Sequence, residues 1–181
     1  VDTMGYIYKE IAHQIVAAAE GILIAKINAA PATATATAVG VPQLSVSAIA
    51  ADTIVNAVAL LSGEARDLRL VMNRQTYPAF VALALNANYG IDVFDGLKDR
   101  IVYSDKMPAY ASAEAGDCLV IVGDFGRGAQ ANFPNGAEIT IKTDDLSLAE
   151  KDLVKLVGRQ YVGHGVVAPK AFVNIKKVAT A

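Results

Sequence analysis

A glycine-rich segment in the last third of the chain comes closest to a motif that carries chemistry. Residues 123–128 read Gly-Asp-Phe-Gly-Arg-Gly and follow a short apolar run. A dinucleotide loop needs Gly-x-Gly-x-x-Gly at the start of a helix, so that backbone N–H groups and the helix dipole meet the phosphates. Here the order is Gly-x-x-Gly-x-Gly, and the residues that follow, including Pro134, lack an amphipathic helical pattern. We therefore expect a tight turn between two strands.

Two further nucleotide-binding patterns are incomplete in the same segment. No Gly-Lys-Ser/Thr sequence supplies a phosphate-binding loop. The Asp-Phe-Gly triplet stands without the His-Arg-Asp loop and the Val-Ala-Ile-Lys strand that accompany it in kinases. A small nucleotide-binding α+β enzyme stays as the least favoured alternative.

The candidate bases and nucleophiles are few. The chain has two histidines, His13 and His164, and one cysteine, Cys118. His164 could act as a general base, but no Gly-x-Ser-x-Gly motif supplies a nucleophile for it. No His-x-x-x-His or His-Glu pair indicates a metal site, and one cysteine excludes an intrachain disulfide and a multi-cysteine zinc site. We expect His13 on the polar or interface side of a helix and Cys118 buried as an inert thiol.

Two acidic pairs, Asp144-Asp145 and Asp95 with Asp99, lack the alternating oxygen ligands, glycine and closing glutamate of a calcium loop. Solvated loops explain both pairs. The sequence therefore predicts no catalytic, cofactor-binding or metal-binding residue, and no enzymatic activity.

Composition and charge exclude several classes of protein. Of 181 residues, 54% are hydrophobic and 19% charged, which excludes intrinsic disorder. A formal net charge of -2 gives no basic footprint for nucleic acid. The apolar stretch at residues 11–27 contains His13, Gln14, Glu20 and Lys26, so it is too polar for a membrane span. No secretory signal is visible, and a chain that begins with valine is expected to be a fragment or a processed product.

Hydrophobic periodicity predicts helices and strands in an α+β arrangement. The first helix is expected at residues 6–29, ended by Pro31, and the Ala/Thr alternation at 32–38 is expected to be a loop or arm. The apolar stripe of this helix comprises Ile7, Ile11, Ile15, Ala18 and Ile22. A second helix is expected at residues 47–61 with Gly63 as its stop, and a third at 76–86 with Thr76 as N-cap.

The remaining segments predict strands. They are residues 67–72, 100–103, 118–122, 137–143, 153–167 and 171–175. The run at 118–122 is continuously apolar, which indicates a strand buried on both faces. Gly158, Gly163 and Gly165 interrupt the long stretch at 153–167 and indicate bulges or close backbone approach.

The order of several short segments resembles the major capsid proteins of tailed double-stranded DNA phages, which have the Hong Kong 97 fold. The segments are Leu70-Val71-Met72-Asn73, Thr76-Tyr77-Pro78, Asn88-Tyr89-Gly90, Ser104-Asp105-Lys106-Met107-Pro108, Gly123-Asp124-Phe125, Ile139 to Thr143, Asp144 to Ser147, a long strand containing Arg159, and Pro169-Lys170-Ala171-Phe172. No single segment is specific to this family. Their order and spacing over about a hundred residues carry the resemblance.

The resemblance implies two interleaved lobes with a spine-type helix and mixed sheets. Residues 1–40 and 124–168 would form a peripheral lobe, and residues 41–123 and 169–181 an axial lobe. The family's N-terminal arm and extended loop precede the spine helix and are not in this sequence. The crosslinking chemistry of the family is therefore not carried over to this chain.

By the same resemblance, copies of the chain would assemble into pentamers and hexamers of an icosahedral shell around phage DNA. The partner is then the chain itself, with scaffold, portal or decoration proteins as further partners and with neither a membrane nor sequence-specific nucleic acid. The expected location is the virion capsid, assembled in the cytoplasm of the bacterial host. An encapsulin-like nanocompartment shell protein is the alternative with the same fold.

Overall fold

The computed structural model describes residues 3–32, 40–86, 92–134, 136, 138–144 and 154–179. The chain forms two compact units, and each unit consists of two stretches of sequence. Unit 1 comprises Val1–Leu23 and Ala131–His164, and unit 2 comprises Ile24–Gln130 and Gly165–Ala181. In the described part of the chain, no helix is long and apolar enough to cross a membrane.

The described helices are α1 (Thr3–Ala29), α2 (Thr53–Ala59), α3 (Tyr77–Asn86) and the single turn α4 (Phe125–Gly128). The described strands are β1 (Gln43–Val46), β2 (Arg69–Met72), β3 (Ile101–Tyr103), β4 (Cys118–Gly123), β5 (Ala129–Asn132), β6 (Thr140–Asp144), β7 (Lys155–Arg159), β8 (Gly163–Val166) and β9 (Phe172–Lys177). Short 3-10 turns at Lys98–Arg100 and Pro169–Ala171 lead into β3 and β9.

A five-stranded mixed sheet in the order β1-β9-β4-β2-β3 organises unit 2. The pairs β1–β9 and β2–β3 are parallel, whereas β4 is antiparallel to both of its neighbours. All six residues of β4 are buried, as its continuous apolar run predicts for a central strand covered on both faces. Phe80 of α3 and Ile54 of α2, both fully buried, pack in the core cluster on one face.

The last turn of α1 lies in unit 2 and is anchored there by side chains. Ile24 and Ile27 are buried, although neither belongs to the predicted stripe. Three side chains donate hydrogen bonds to carbonyl oxygens at and just after the end of the helix: Asn174 to Ile27 at 3.0 Å, Lys176 to Asn28 at 3.4 Å and Gln43 to Ala30 at 3.5 Å. The helix therefore ends where strands β1 and β9 meet its carbonyl groups.

Unit 1 pairs the first part of α1 with the antiparallel hairpin β6–β7. A Cβ atom added at Gly158 would overlap Ile11 and Ile15 of α1, so this glycine lets the helix approach the strand closely. The close approach predicted as one of two reasons for these glycines is confirmed at Gly158. It is not found at Gly163 or Gly165, where an added Cβ would meet nothing within 4 Å.

The structure differs from the sequence-based elements at several points. Strand β1 was not predicted. Helix α2 covers only Thr53–Ala59 of the predicted 47–61, and the long extended stretch divides into β7 and β8. Residues 123–128 contain the helical turn α4 instead of a simple turn between strands. The Asn88-Tyr89-Gly90 segment lies outside the described residues, as does nearly all of the Ala/Thr stretch.

Candidate functional site

Four of the segments that carry the family resemblance contact one another in two pairs within unit 2. In the first pair, the end of β2 meets the turn after β3, because parallel strands end at the same edge of the sheet. The N–H of Ser104 donates to the carbonyl of Met72 at 3.0 Å, and the side-chain amide of Asn73 donates to the carbonyl of Met107 at 2.8 Å. These two hydrogen bonds join the Met72-Asn73 segment to the segment from Ser104 to Met107. A contact of this kind between two distant segments is here called a joint.

Thr76, at the predicted N-cap position, belongs to the same joint. Its side chain is fully buried, and its hydroxyl oxygen accepts a hydrogen bond from the N–H of Tyr110 at 3.1 Å. This threonine therefore ties the start of α3 to a loop that lies 34 residues further along the chain.

The second pair joins the end of β4 to the start of β9. The N–H of Asp124 donates to the carbonyl of Ala171 at 2.9 Å. A Cβ at Gly123 would overlap Ala171 and Phe172, and a Cβ at Gly128 would overlap the Phe172 ring. The ring of Phe125 meets that of Phe172 edge to face, with the centroids 5.0 Å apart. The glycines of the motif therefore make room for Phe172.

The carboxylate of Asp124 holds this joint together. One of its oxygens accepts from the N–H of Arg127 at 3.2 Å, and the other accepts from Arg66 at 3.1 Å and Asp67 at 3.3 Å. Asp124 is only 7% exposed, and the hydrogen bonds from these backbone N–H groups, that of Arg66 first, lower the pKa of its carboxyl. The chain's own carboxylate thus occupies the N–H groups that a bound phosphate would need in a dinucleotide site.

The candidate nucleophile and bases do not form a reactive group. Cys118 is 5% exposed, and burial raises the pKa of its thiol to about 12, so it stays protonated near neutral pH. His13 is exposed on α1. Both ring nitrogens of His164 are shielded from solvent and have no hydrogen-bond partner, so no nucleophile is bonded to this imidazole.

The acidic pairs are explained by loop structure where the structure describes them. Asp95 and Gly96 have positive φ angles of 52° and 73° in a tight turn. Asp92, which sequence reasoning missed, accepts from the N–H groups of Phe94 at 3.0 Å and Gly96 at 2.7 Å. An aspartate two residues before the turn is the sequence signal for such a loop. Asp145 lies outside the described residues, and among those described no three His, Cys, Asp or Glu side chains are grouped to bind a metal.

The profile of the phage capsid family matches residues 7–177 of the chain. No curated protein sequence matches it significantly.

Solved structures match the fold at low sequence identity. The capsid of a native GTA particle is 19% identical with a TM-score of 0.74, and the match covers 98% of this chain and 73% of that one. The capsid of cyanophage P-SCSP1u is 13% identical with a TM-score of 0.58, covering 99% and 67%. An encapsulin complex from Synechococcus elongatus is 15% identical with a TM-score of 0.55, covering 76% and 53%.

These similarities show that the chain has the Hong Kong 97-type capsid fold, which confirms the α+β class and the mixed sheets predicted from the sequence. The joints described above link four of the segments that carry the resemblance, those at Met72-Asn73, Ser104 to Met107, Gly123 to Phe125 and Ala171-Phe172. With the family profile spanning residues 7–177, the chain belongs to the phage capsid family.

Proposed function

We propose that this chain is the shell-forming body of a major capsid protein whose copies close into rings of five and six around phage DNA. The observation that carries the proposal is the family match over residues 7–177. Identical subunits build closed rings through heterologous contacts, in which one surface of a subunit meets a different surface of the next. The function then lies in contact surfaces and needs no reaction.

The two compact units are proposed to serve as the two lobes of the subunit. Unit 1 would be the peripheral lobe and unit 2 the axial lobe, close to the division into residues 1–40 with 124–168 and 41–123 with 169–181. This proposal is supported by the interleaving of the chain, since each unit uses two separate stretches of sequence.

The chain is further proposed to act without a cofactor and without enzymatic activity. The buried protonated Cys118 and the unpaired His164 imidazole support this part of the proposal. Scaffold, portal or decoration proteins would be the additional partners, and the bacterial cytoplasm the place of assembly.

An encapsulin-like shell is the second candidate because the fold also matches an encapsulin complex with a TM-score of 0.55 over 76% of the chain. The two functions differ in what the shell encloses. Nucleic acid inside particles purified from the native host supports the phage capsid, whereas enclosed protein without nucleic acid supports the nanocompartment.

The direct test is electron microscopy of the full-length protein after expression. We expect rings and closed shells, because subunits with several weak contacts assemble cooperatively. Monodisperse small species under all solution conditions would contradict the capsid function. In parallel, a thermal-shift screen with nucleotides should show no stabilisation of the protein. A stabilisation that Gly126→Leu abolishes would favour the enzyme alternative.

A further inference from the structure

Two arginines lie side by side at one end of the five-stranded sheet. Strands β2 and β3 are parallel with Leu70 opposite Ile101, so the preceding residues Arg69 and Arg100 are cross-strand neighbours. Both arginine side chains are about half exposed, at 50% and 49%. Like charges placed opposite each other on a sheet repel, so counter-charge between them is stabilising.

A single carboxylate supplies part of that counter-charge. Asp67 accepts from Arg69 at 3.4 Å and from Arg100 at 3.2 Å, one contact on each of its oxygens. Two guanidinium groups on one carboxylate leave an excess of one positive charge. Each guanidinium has five N–H donors, so most of them stay available to a further acceptor.

The backbone next to the arginine pair is tied to the Asp124 joint. The N–H of Asp67 donates to the Asp124 carboxylate at 3.3 Å. The Asp67 side chain, which is 62% exposed, bridges the two guanidinium groups.

The arginines adjoin an apolar side chain at an open sheet edge. Strand β3 is the last strand of the sheet. Val102 lies opposite Val71, two residues after Arg69, and is therefore on the same face as Arg69, with 40% of it exposed. Arginine is enriched at protein interfaces and among the residues that contribute most to binding.

We propose that the surface formed by Asp67, Arg69, Arg100 and Val102, here called the arginine edge, binds a carboxylate-bearing surface of a second copy of this chain. The inference rests on the proposed shell function and names one of its contacts. Arginine pairs a carboxylate through two parallel hydrogen bonds, and the chain has 18 acidic residues against 16 basic ones, so a second copy supplies carboxylates. A formal net charge of -2 favours this partner over a polyanion such as nucleic acid.

The test compares assembly of the full-length protein with that of two double variants of equal charge change. Arg69→Gln with Arg100→Gln removes the guanidinium groups, and Lys106→Gln with Lys170→Gln removes two exposed lysines elsewhere in unit 2. We expect the arginine variant to raise the protein concentration needed for assembly about tenfold or more, and the lysine variant to change it less than about twofold. Wild-type assembly should also weaken with added salt more than that of the arginine variant.

Light scattering measures assembly, and circular dichroism checks the fold of each variant. Assembly of a folded arginine variant at the wild-type concentration overturns the inference and leaves the shell function standing. Normal shells that enclose less nucleic acid also overturn it, since the arginine edge would then contact nucleic acid. If the glutamine variant does not fold, the variant Arg69→Lys with Arg100→Lys replaces it in the assembly test. Lysine keeps the positive charge but lacks the planar guanidinium group that pairs with a carboxylate through two hydrogen bonds. An increased assembly concentration supports the inference, and an unchanged one overturns it.

Discussion

At the scale of single residues, Asp124 joins distant parts of the chain. Its carboxylate accepts backbone N–H groups from a loop that lies 57 and 58 residues away and from the turn that follows it. A charged acceptor that is fully hydrogen-bonded is more stabilising than a neutral one, and removing it takes the acceptor from three backbone N–H groups. The motif that looked like a phosphate loop is therefore a structural joint.

Replacing Asp124 with Asn should lower the free energy of unfolding at neutral pH by about 1–3 kcal/mol, because the amide offers one uncharged acceptor oxygen. The pKa of Asp124 lies below the ordinary value of 3.8 in the folded chain, so its ionised form stabilises the fold above that value. That stabilisation is lost as the pH falls through the lowered pKa, because the unfolded chain binds the proton first.

Urea unfolding across the acid range therefore should show the difference between wild type and Asp124→Asn shrinking as the pH falls below 3.8. Asp105→Asn, at an exposed position, serves as the control and should differ little from wild type near neutral pH. If the free energies of unfolding of wild type and Asp124→Asn differ by the same amount at every pH, the charge of Asp124 does not stabilise the joint.

The joint between β4 and β9 also requires that residue 123 has no side chain, because Ala171 and Phe172 pack against it. An added methyl group would overlap the Ala171 carbonyl and the Phe172 side chain, so Gly123→Ala should cost about 1–3 kcal/mol of stability. The matched control is Gly63→Ala, because nothing lies within 4 Å of its added Cβ and its φ is not positive. Equal midpoints of thermal unfolding for the two variants would contradict this account.

At the scale of elements, the end of α1 shows how helix and sheet are joined. Asn174 is fully buried in the central part of the sheet, where an amide side chain is costly unless it is hydrogen-bonded. Its donor satisfies the Ile27 carbonyl at 3.0 Å, although its own oxygen has no partner. A polar residue in β9 is thus kept in the core because it fixes where the helix ends.

Asn174→Ala should destabilise unit 2 by about 1–3 kcal/mol, since the Ile27 carbonyl loses the shorter of its two hydrogen bonds and a cavity forms. Gln43→Ala removes a longer contact of 3.5 Å to the Ala30 carbonyl and should cost less. Chemical denaturation of both variants measures the two costs. A larger effect of the Gln43 change would reverse this ranking of the two anchors.

At the scale of the whole molecule, the two units differ in how much they bury. Every buried hydrophobic residue in the described part of the chain belongs to unit 2. Unit 1 instead exposes large side chains, among them Tyr6 at 68% and Tyr161 at 58%. A unit without buried apolar side chains has little local stability of its own, so we expect it to gain order from contacts made in a shell.

Hydrogen exchange of the full-length protein tests this expectation. In unassembled subunits the amides of β6 and β7 should exchange at least about tenfold faster than those of β4 and β9, and assembly should slow β6 and β7 the most. Equal protection of the two hairpin strands and the central sheet before assembly would show that unit 1 is stable by itself.

Local patterns in the sequence determined the long helix, α3, the buried strand β4 and the order of segments that identifies the family. These features depend on periodicity and on neighbouring residues, which the sequence contains directly. Strand β1 was missed because Gln43–Val46 alternates polar and apolar residues over only four positions, which is too short a stretch to predict a strand. Its pairing with β9 makes it a strand.

Only the tertiary structure decided which segments meet. The pairing of Asn73 with Met107, of Asp124 with Arg66, and of Gly123 with Phe172 joins residues that are 34 to 58 positions apart. The neighbouring guanidinium groups of the arginine edge likewise follow from the parallel register of β2 and β3. Contacts of this kind depend on strand order and on the path of the chain, and no local pattern of residue types encodes that path.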